Sequence, residues 1–270
     1  MEQAPNPDQQ PEEPKLKHSD VRTDLSRLKF NSVTRQNFEA EPTIGRDAWE
    51  IYDAPLDEFN RSFKKSLPEG GFQAFVDMYY KERKGQLIGM ELGGPGSNFF
   101  GGFDEGTFKE TVGVTLNDLR ETNQKEADDS RHHSIIEADV FSIKPHAEGY
   151  EYFPARQWRT VKEWVQTHGQ PDMIVERMLG PMNHIKRKEI FLAILDRWYT
   201  LLAPEGTIFF GGPKNHHATI PVLAYAPELE KLRHIPTLEF SSNINFNPHF
   251  PFAKLRKLPG APKSLRELFK

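Results

Sequence analysis

The stretch QLIGMELGGPGS, residues 86–97, decides the fold. Its apolar run ends at the acidic Glu91. A glycine-rich turn follows, formed by Gly93, Gly94, Pro95 and Gly96. This order is typical of a buried parallel strand that leads into a nucleotide-cradling turn. Glycine allows the sharp turn and leaves no Cβ in the way of a ligand. Such glycines also occur for steric reasons alone, so the later segments must decide between the two interpretations.

Strand and helix patterns alternate after this turn. Apolar runs predict strands, beginning with the one at Leu87–Leu92 and continuing at Thr111–Leu116, Ser134–Ala138, Asp172–Val175 and Thr207–Phe210. Helical spacing predicts helices at Gln157–Thr167 and Arg187–Leu202. Strands that alternate with helices indicate right-handed crossovers and a parallel sheet.

The two ends of the chain differ from this pattern. Near the C-terminus, apolar and polar residues alternate over 238–246, and FAKLRKL at 252–258 offers a partner strand for an antiparallel hairpin. Before Gly85, helical spacing starts at Leu56 and again at Phe72. We therefore expect an α/β fold with a seven-stranded, mostly parallel Rossmann-like sheet, an antiparallel C-terminal strand and helices on both faces. The expected divisions are a disordered acidic tail (1–20), a helical extension or lid (21–85) and the main domain (86–270).

Composition narrows the possible functions. The 270 residues carry a net charge of −4, so we expect no general attraction to nucleic acid. The chain has no cysteine, which excludes disulfides, thiolate metal sites and a cysteine nucleophile. The adjacent histidine pairs chelate a metal poorly, and no run of 18 apolar residues occurs. The acidic, proline-rich start lacks a secretory pattern. These features predict a cytoplasmic protein with no membrane segment and no metal.

The order of these segments resembles class I S-adenosylmethionine-dependent methyltransferases, from Gln86 to the C-terminus. In that family the first strand ends in an acid and a glycine-rich loop, like the segment from Glu91 to Ser97. The third strand, which ends in EADVF, and the turn in LLAPEGTIFF also match the family order. The sequence departs from the pattern where the loop has one glycine fewer and where Thr115 stands in place of an acid.

The resemblance implies S-adenosylmethionine as cofactor and a set of residues that bind it. The methionine end would meet Glu91, Gly93, Gly94 and Gly96. Thr115 or Asp118 would hold the ribose, Asp139 the adenine amino group, and Val140 would lie beside the ring. Glu176 would stand with Arg177 where cofactor and acceptor meet. The helices from Leu56 to Tyr80 would cover the cofactor.

The resemblance does not identify the methyl acceptor or a catalytic residue. Methyl transfer needs mainly alignment, and a general base only where the acceptor loses a proton. His184, His216 and His217 lie in loops at the expected edge and are candidates for that base. A small molecule or a protein side chain is the favoured acceptor.

Two other functions remain open. The first is a binding or scaffold protein that has lost its cofactor, which the short loop and Thr115 favour. The second is a nicotinamide-dependent oxidoreductase, in which Gly94 and Gly96 would begin a Gly-x-Gly-x-x-Gly motif. Phe99 occupies the last position of that motif, where a small residue is needed.

Overall fold

A computed structural model describes residues 53–115, 118, 120, 122–138, 140, 144–146, 149–151, 156–176, 188–211, 226–242 and 252–269. The predicted tail at 1–20 and residues 21–52 of the predicted extension at 21–85 lie outside these residues, as do Asp139, Arg177, His184, His216 and His217. No helix in the described ranges has the length and apolar character needed to cross a membrane.

The described strands and helices follow the predicted alternation. The strands are β1 (Leu87–Leu92), β2 (Phe108–Thr115), β3 (His133–Glu137), β4 (Lys144–His146), β5 (Gly149–Glu151), β6 (Met173–Glu176), β7 (Thr207–Gly211), β8 (Leu238–Ser242) and β9 (Phe252–Lys257). The helices are α1 (Leu56–Phe63), α2 (Gly71–Tyr79), α3 (Ser97–Gly101), α4 (Thr122–Ser130), α5 (Arg156–His168), α6 (Lys188–Leu201) and α7 (Ala226–Glu230).

Seven of the strands form one sheet in the order β3-β2-β1-β6-β7-β9-β8. The pairs from β3 to β7 are parallel, whereas β9 pairs antiparallel with both β7 and β8. The predicted sheet, its reversed C-terminal strand and the α/β class are therefore confirmed. The small antiparallel pair β4–β5 was not predicted.

Two hydrophobic clusters cover the two faces of the sheet. Successive strand residues point to opposite faces, so Met90 and Leu92 join one cluster and Leu87 joins the other. The first cluster includes the buried side of α6, from Phe191 to Leu201. The second includes Phe99 and Phe100 of α3. Helices therefore pack on both faces, as predicted.

Helices α1 and α2 lie against the second face. Phe63 of α1 packs 4.5 Å from the Phe252 ring, and Phe72 of α2 packs 4.7 Å from the Phe209 ring, measured between centroids. The Tyr80 hydroxyl, just after α2, lies 3.0 Å from the Glu205 carbonyl oxygen. This extension shares its core with the sheet. Its suggested role as a cover for the cofactor stays a prediction.

Candidate functional site

The sheet has its topological switch point between β1 and β6. The chain leaves β1 into α3 on one face, and it leaves β6 towards α6, which packs on the other face. In open α/β sheets such a switch point is accompanied by a crevice beyond the carboxyl ends of the two strands. Ligands of open α/β sheets bind in this kind of crevice.

The glycine-rich turn begins at this crevice and folds back over β2. Gly93 and Gly96 have φ values of +89° and +75°, which favour glycine because other residues are strained there. The Gly93 N–H donates to the Val114 carbonyl at 2.8 Å. A Cβ on Gly113 would lie 1.8 Å from the Pro95 carbonyl oxygen. Gly113 therefore lets the turn lie directly on the strand.

Glu91 lies beneath this turn. The side chain is fully buried at the end of β1. A Cβ on Gly96 would be 3.2 Å from the Glu91 Cβ and 3.3 Å from its Oε2 atom. Gly94 forms a β-bridge with Val114 and holds the middle of the turn. The structure thus brings together the carboxylate and the three glycines predicted for the methionine end.

Glu176 ends β6 beside Leu92 of β1. Its side chain is fully buried, and its Oε2 accepts a 2.8 Å hydrogen bond from the Gly211 N–H. This bond joins the carboxyl ends of β6 and β7. By strand alternation Glu176 and Glu91 point to opposite faces. Glu176 therefore has a clear structural role at the edge where cofactor binding was predicted.

The two ribose candidates have different surroundings. Thr115 is buried at the end of β2, and its carbonyl accepts the Ala138 N–H at 2.8 Å. The carboxylate of Asp118 accepts two hydrogen bonds from the Arg120 guanidinium, at 3.0 and 3.1 Å. Burial raises the pKa of Asp118, but hydrogen bonds and charge from Arg120 outweigh burial and lower it. Oδ1 also accepts the Arg120 backbone N–H at 3.1 Å, and Lys125 Nζ lies 3.6 Å from Oδ2. Asp118 is therefore an oriented carboxylate on which a diol would have to share Oδ2 with Arg120 and Lys125.

Arg120 also connects Asp118 to a buried carboxylate that sequence analysis missed. Asp128 of α4 is fully buried and accepts hydrogen bonds from Arg120 Nη1 at 2.8 Å and from Ser97 Oγ at 2.6 Å. Arg131 Nη2 lies 2.5 Å from its other oxygen. Because Ser97 directly follows Gly96, Asp128 ties the glycine turn to the segment that carries Asp118. No periodic pattern marked Asp128, because α4 is otherwise largely polar.

His133 was also missed as part of the site. His133 is the first residue of β3 and is buried. Its Nε2 atom lies 2.8 Å from the Pro95 carbonyl oxygen, and its Nδ1 atom lies 2.8 Å from the Thr111 hydroxyl oxygen. A carbonyl only accepts, so Nε2 carries the proton and Nδ1 accepts from Thr111. Burial lowers the pKa of His133 to about 4, which keeps the ring neutral. The histidine therefore holds the glycine turn against the sheet.

Asp53 caps α3 from the N-terminal side. Its carboxylate oxygens accept the Asn98 N–H at 3.1 and 3.2 Å and the Gln124 amide at 3.0 Å. Burial, partly offset by these hydrogen bonds, raises the pKa of Asp53 to about 6. This contact links the segment before α1 to both α3 and α4.

The adenine end is described only in part. Val140 is buried in the first cluster, and its carbonyl accepts a 3.3 Å hydrogen bond from the Trp198 indole N–H. Asp139, the predicted adenine contact, lies outside the described residues. Among the residues that the structure describes, no group of three or more acidic or histidine side chains is placed to hold a metal.

No known protein family matches this chain, and no curated protein matches it. Solved methyltransferase structures are similar to it. The plantazolicin methyltransferase BpumL, in complex with a monoazolic desmethylPZN analog and S-adenosylhomocysteine, is 10% identical, with a TM-score of 0.47, covering 88% of this chain and 99% of that one.

Two other solved structures are of the same kind. A putative rRNA-methylase from Clostridium thermocellum is 12% identical, with a TM-score of 0.44, covering 74% of this chain and 97% of that one. The N-methyltransferase NodS from Bradyrhizobium japonicum WM9, in complex with S-adenosylhomocysteine, is 15% identical, with a TM-score of 0.39, covering 83% and 98%. At these identities and TM-scores the likeness concerns the fold and carries no information on the substrate of this chain.

Proposed function

We propose that this chain binds S-adenosylmethionine at the carboxyl ends of β1 and β2 and transfers its methyl group to a small molecule or a protein side chain. The observation that carries the proposal is the buried Glu91 carboxylate beneath Gly96 at the switch point of the sheet. Glycines at this place let a ligand approach the backbone closely, and the carboxyl group lies directly beneath them.

The proposal assigns the residues at this edge to different parts of the cofactor. Glu91 and the turn from Gly93 to Gly96 would hold the methionine end. Asp118, oriented by Arg120, would accept hydrogen bonds from the ribose hydroxyls. Asp139 would meet the adenine amino group. The bound cofactor would supply a methyl group that is already activated, so the chain itself must align the acceptor and exclude water.

Calorimetric titration with S-adenosylmethionine, S-adenosylhomocysteine and reduced nicotinamide dinucleotide tests this function. We expect micromolar binding of the two adenosyl ligands only. Asp118→Asn and Asp139→Ala should each weaken it about tenfold or more, as for a lost charge-assisted hydrogen bond. Asp129→Asn is the matched control, because Asp129 is an exposed acid on α4. Failure of both adenosyl ligands to bind at millimolar concentration would refute the proposal.

A scaffold without cofactor is the second candidate function. The Arg120 guanidinium already donates two hydrogen bonds to Asp118, and Thr115 stands where the family has an acid. The carboxylate proposed for the ribose therefore already has partners within the protein. Absence of adenosyl binding together with normal folding would favour this candidate. A nicotinamide enzyme fits less well, because Phe99 occupies the last position of the Gly-x-Gly-x-x-Gly motif, where a small residue is needed. The centroid of its ring lies 4.4 Å from that of Phe59.

A further inference from the structure

A cavity opens at the amino edge of the sheet, opposite the edge proposed for the cofactor. Its volume is about 410 Å³. Gln170 before β6 and Glu205 before β7 form part of its wall, and the segment from Lys257 to Lys263 after β9 forms another part. The cavity is therefore remote in the fold from the glycine turn.

Lys257 is the one buried cation among the described residues that line this cavity. Lys257 is only 8% exposed to solvent. Its Nζ donates to the Leu202 carbonyl at 2.7 Å and lies 4.5 Å from the centre of the Tyr199 ring. An ammonium has three donors, and the described residues provide one acceptor and no carboxylate for them. Burial lowers the pKa of Lys257 to about 8.

A purely structural role explains part of this arrangement. Leu202 follows α6, so the ammonium donates to a carbonyl at the helix C-terminus. Its positive charge also interacts favourably with the negative end of the helix dipole. The same carbonyl also accepts a 3.2 Å hydrogen bond from the Gln170 amide. An exposed lysine would cap the helix equally well without the cost of burial. The cap therefore does not account for a buried ammonium that faces a cavity.

The walls of the cavity are held in place before any ligand enters. The Tyr199 hydroxyl donates to the Pro262 carbonyl at 2.8 Å, and the Leu258 N–H donates to the Thr237 carbonyl at 2.9 Å. Gly260 turns the segment between them with a φ of +80°. A preformed site loses less conformational entropy when it binds a ligand.

We infer that this cavity binds a small organic anion, whose acidic group pairs with Lys257. An anion would give the buried ammonium the charge partner that the described residues lack. Lys263 in the outer wall adds a second positive charge, while Glu205 is the acid of the α6–β7 turn that lines the cavity. Tyr199 faces Lys257 from α6 with its ring and stays neutral, because burial raises its pKa.

The probes for the test are sulfate and benzenesulfonate, whose charge does not change between pH 7 and pH 9. Calorimetric titration of the full chain should show binding at pH 7. The affinity should fall about tenfold at pH 9, because the charged fraction of Lys257 falls about tenfold when its pKa is about 8. Lys257→Arg should bind at both pH values, because arginine keeps its charge.

Lys257→Met should abolish binding, and Lys263→Met, at an exposed position, should weaken it by a smaller factor. If Lys257→Met does not fold, the pH dependence of the unmodified chain and the behaviour of Lys257→Arg decide the matter. Absence of binding, binding that does not depend on pH, or unchanged binding in a folded Lys257→Met variant would overturn the inference. S-adenosylhomocysteine affinity should not change in these variants, so this inference and the proposed function fail or hold separately.

Discussion

The substitution Gly113→Ala tests the position of the glycine turn most directly. A Cβ at this residue would lie 1.8 Å from the Pro95 carbonyl oxygen, and real Cβ atoms essentially never come closer than 3.0 Å to another heavy atom. The obstacle is backbone and cannot swing away. The turn must therefore move away from β2 by about 1.2 Å or more.

This displacement disturbs two hydrogen bonds that hold the turn. They are the 2.8 Å bond from Gly93 N–H to Val114 and the 2.8 Å bond from His133 to Pro95. Each is worth about 1 kcal/mol, and overpacking costs about 1–3 kcal/mol more. Alanine recovers about 0.5–1 kcal/mol of backbone entropy relative to glycine. We expect a net loss of about 2–4 kcal/mol in the free energy of unfolding.

Urea unfolding and calorimetric titration with S-adenosylhomocysteine measure the two effects. Gly106→Ala is the control, because Gly106 has a φ of +72° and its added Cβ would meet no atom within 4 Å. The control should lose about 1 kcal/mol through backbone strain alone and keep its ligand affinity. The Gly113→Ala variant should bind at least about tenfold more weakly. Equal stability and equal affinity in the two variants would refute the reasoning.

Three further predictions concern buried polar groups. Asp128→Asn should destabilise the fold by about 3 kcal/mol because it removes a buried carboxylate shared by Arg120 and Arg131, of which Arg120 keeps Asp118, whereas exposed Asp129→Asn should stay within about 0.5 kcal/mol by denaturant unfolding. Burial holds the pKa of His133 near 4 from a usual 6.5, so the unfolded chain binds more protons between these pH values and stability falls as the pH is lowered from 6.5 to 4. The difference in unfolding free energy between wild type and His133→Gln should change by at most about 3 kcal/mol across that window, and a constant difference would contradict the assignment. Tyr80→Phe should cost about 1–3 kcal/mol by thermal unfolding because the buried Tyr80 hydroxyl has a 2.9 Å hydroxyl partner and nearby carbonyls, while Tyr79→Phe should change little.

Local pattern was sufficient to predict most of the architecture. The apolar run from Leu87 to Leu92 is a fully buried strand, as its continuous hydrophobicity indicated. The alternating segment from Leu238 is a strand up to Ser242, and its partner at Phe252–Lys257 runs antiparallel both to it and to β7. Ends were less accurate: β2 begins at Phe108 rather than Thr111, because its first residues extend the pairing with β1. A strand end depends on its neighbour in space.

Only part of the candidate site could be predicted from the sequence. Glu91 and the glycines were found because an acid and a turn follow a buried strand within a few residues. Asp128 and His133 were not found, because their roles arise from contacts with Ser97 and Pro95, which lie 31 and 38 residues away. Gly113 lies inside a predicted strand, and the strand pattern does not reveal its contact with Pro95, although an interior strand glycine often marks a close approach of backbone.

The sequence alone thus determined the alternation of strands and helices, the place of the glycine turn and the acid beneath it, since each depends on residues close together in the chain. Tertiary structure alone decided the strand order, the burial of Asp128 and His133, the pairing of Asp118 with Arg120 and the cavity around Lys257. Burial and pKa depend on which segments meet in space. Periodicity records which side of an element is apolar, and it does not record which polar side chain another element will cover.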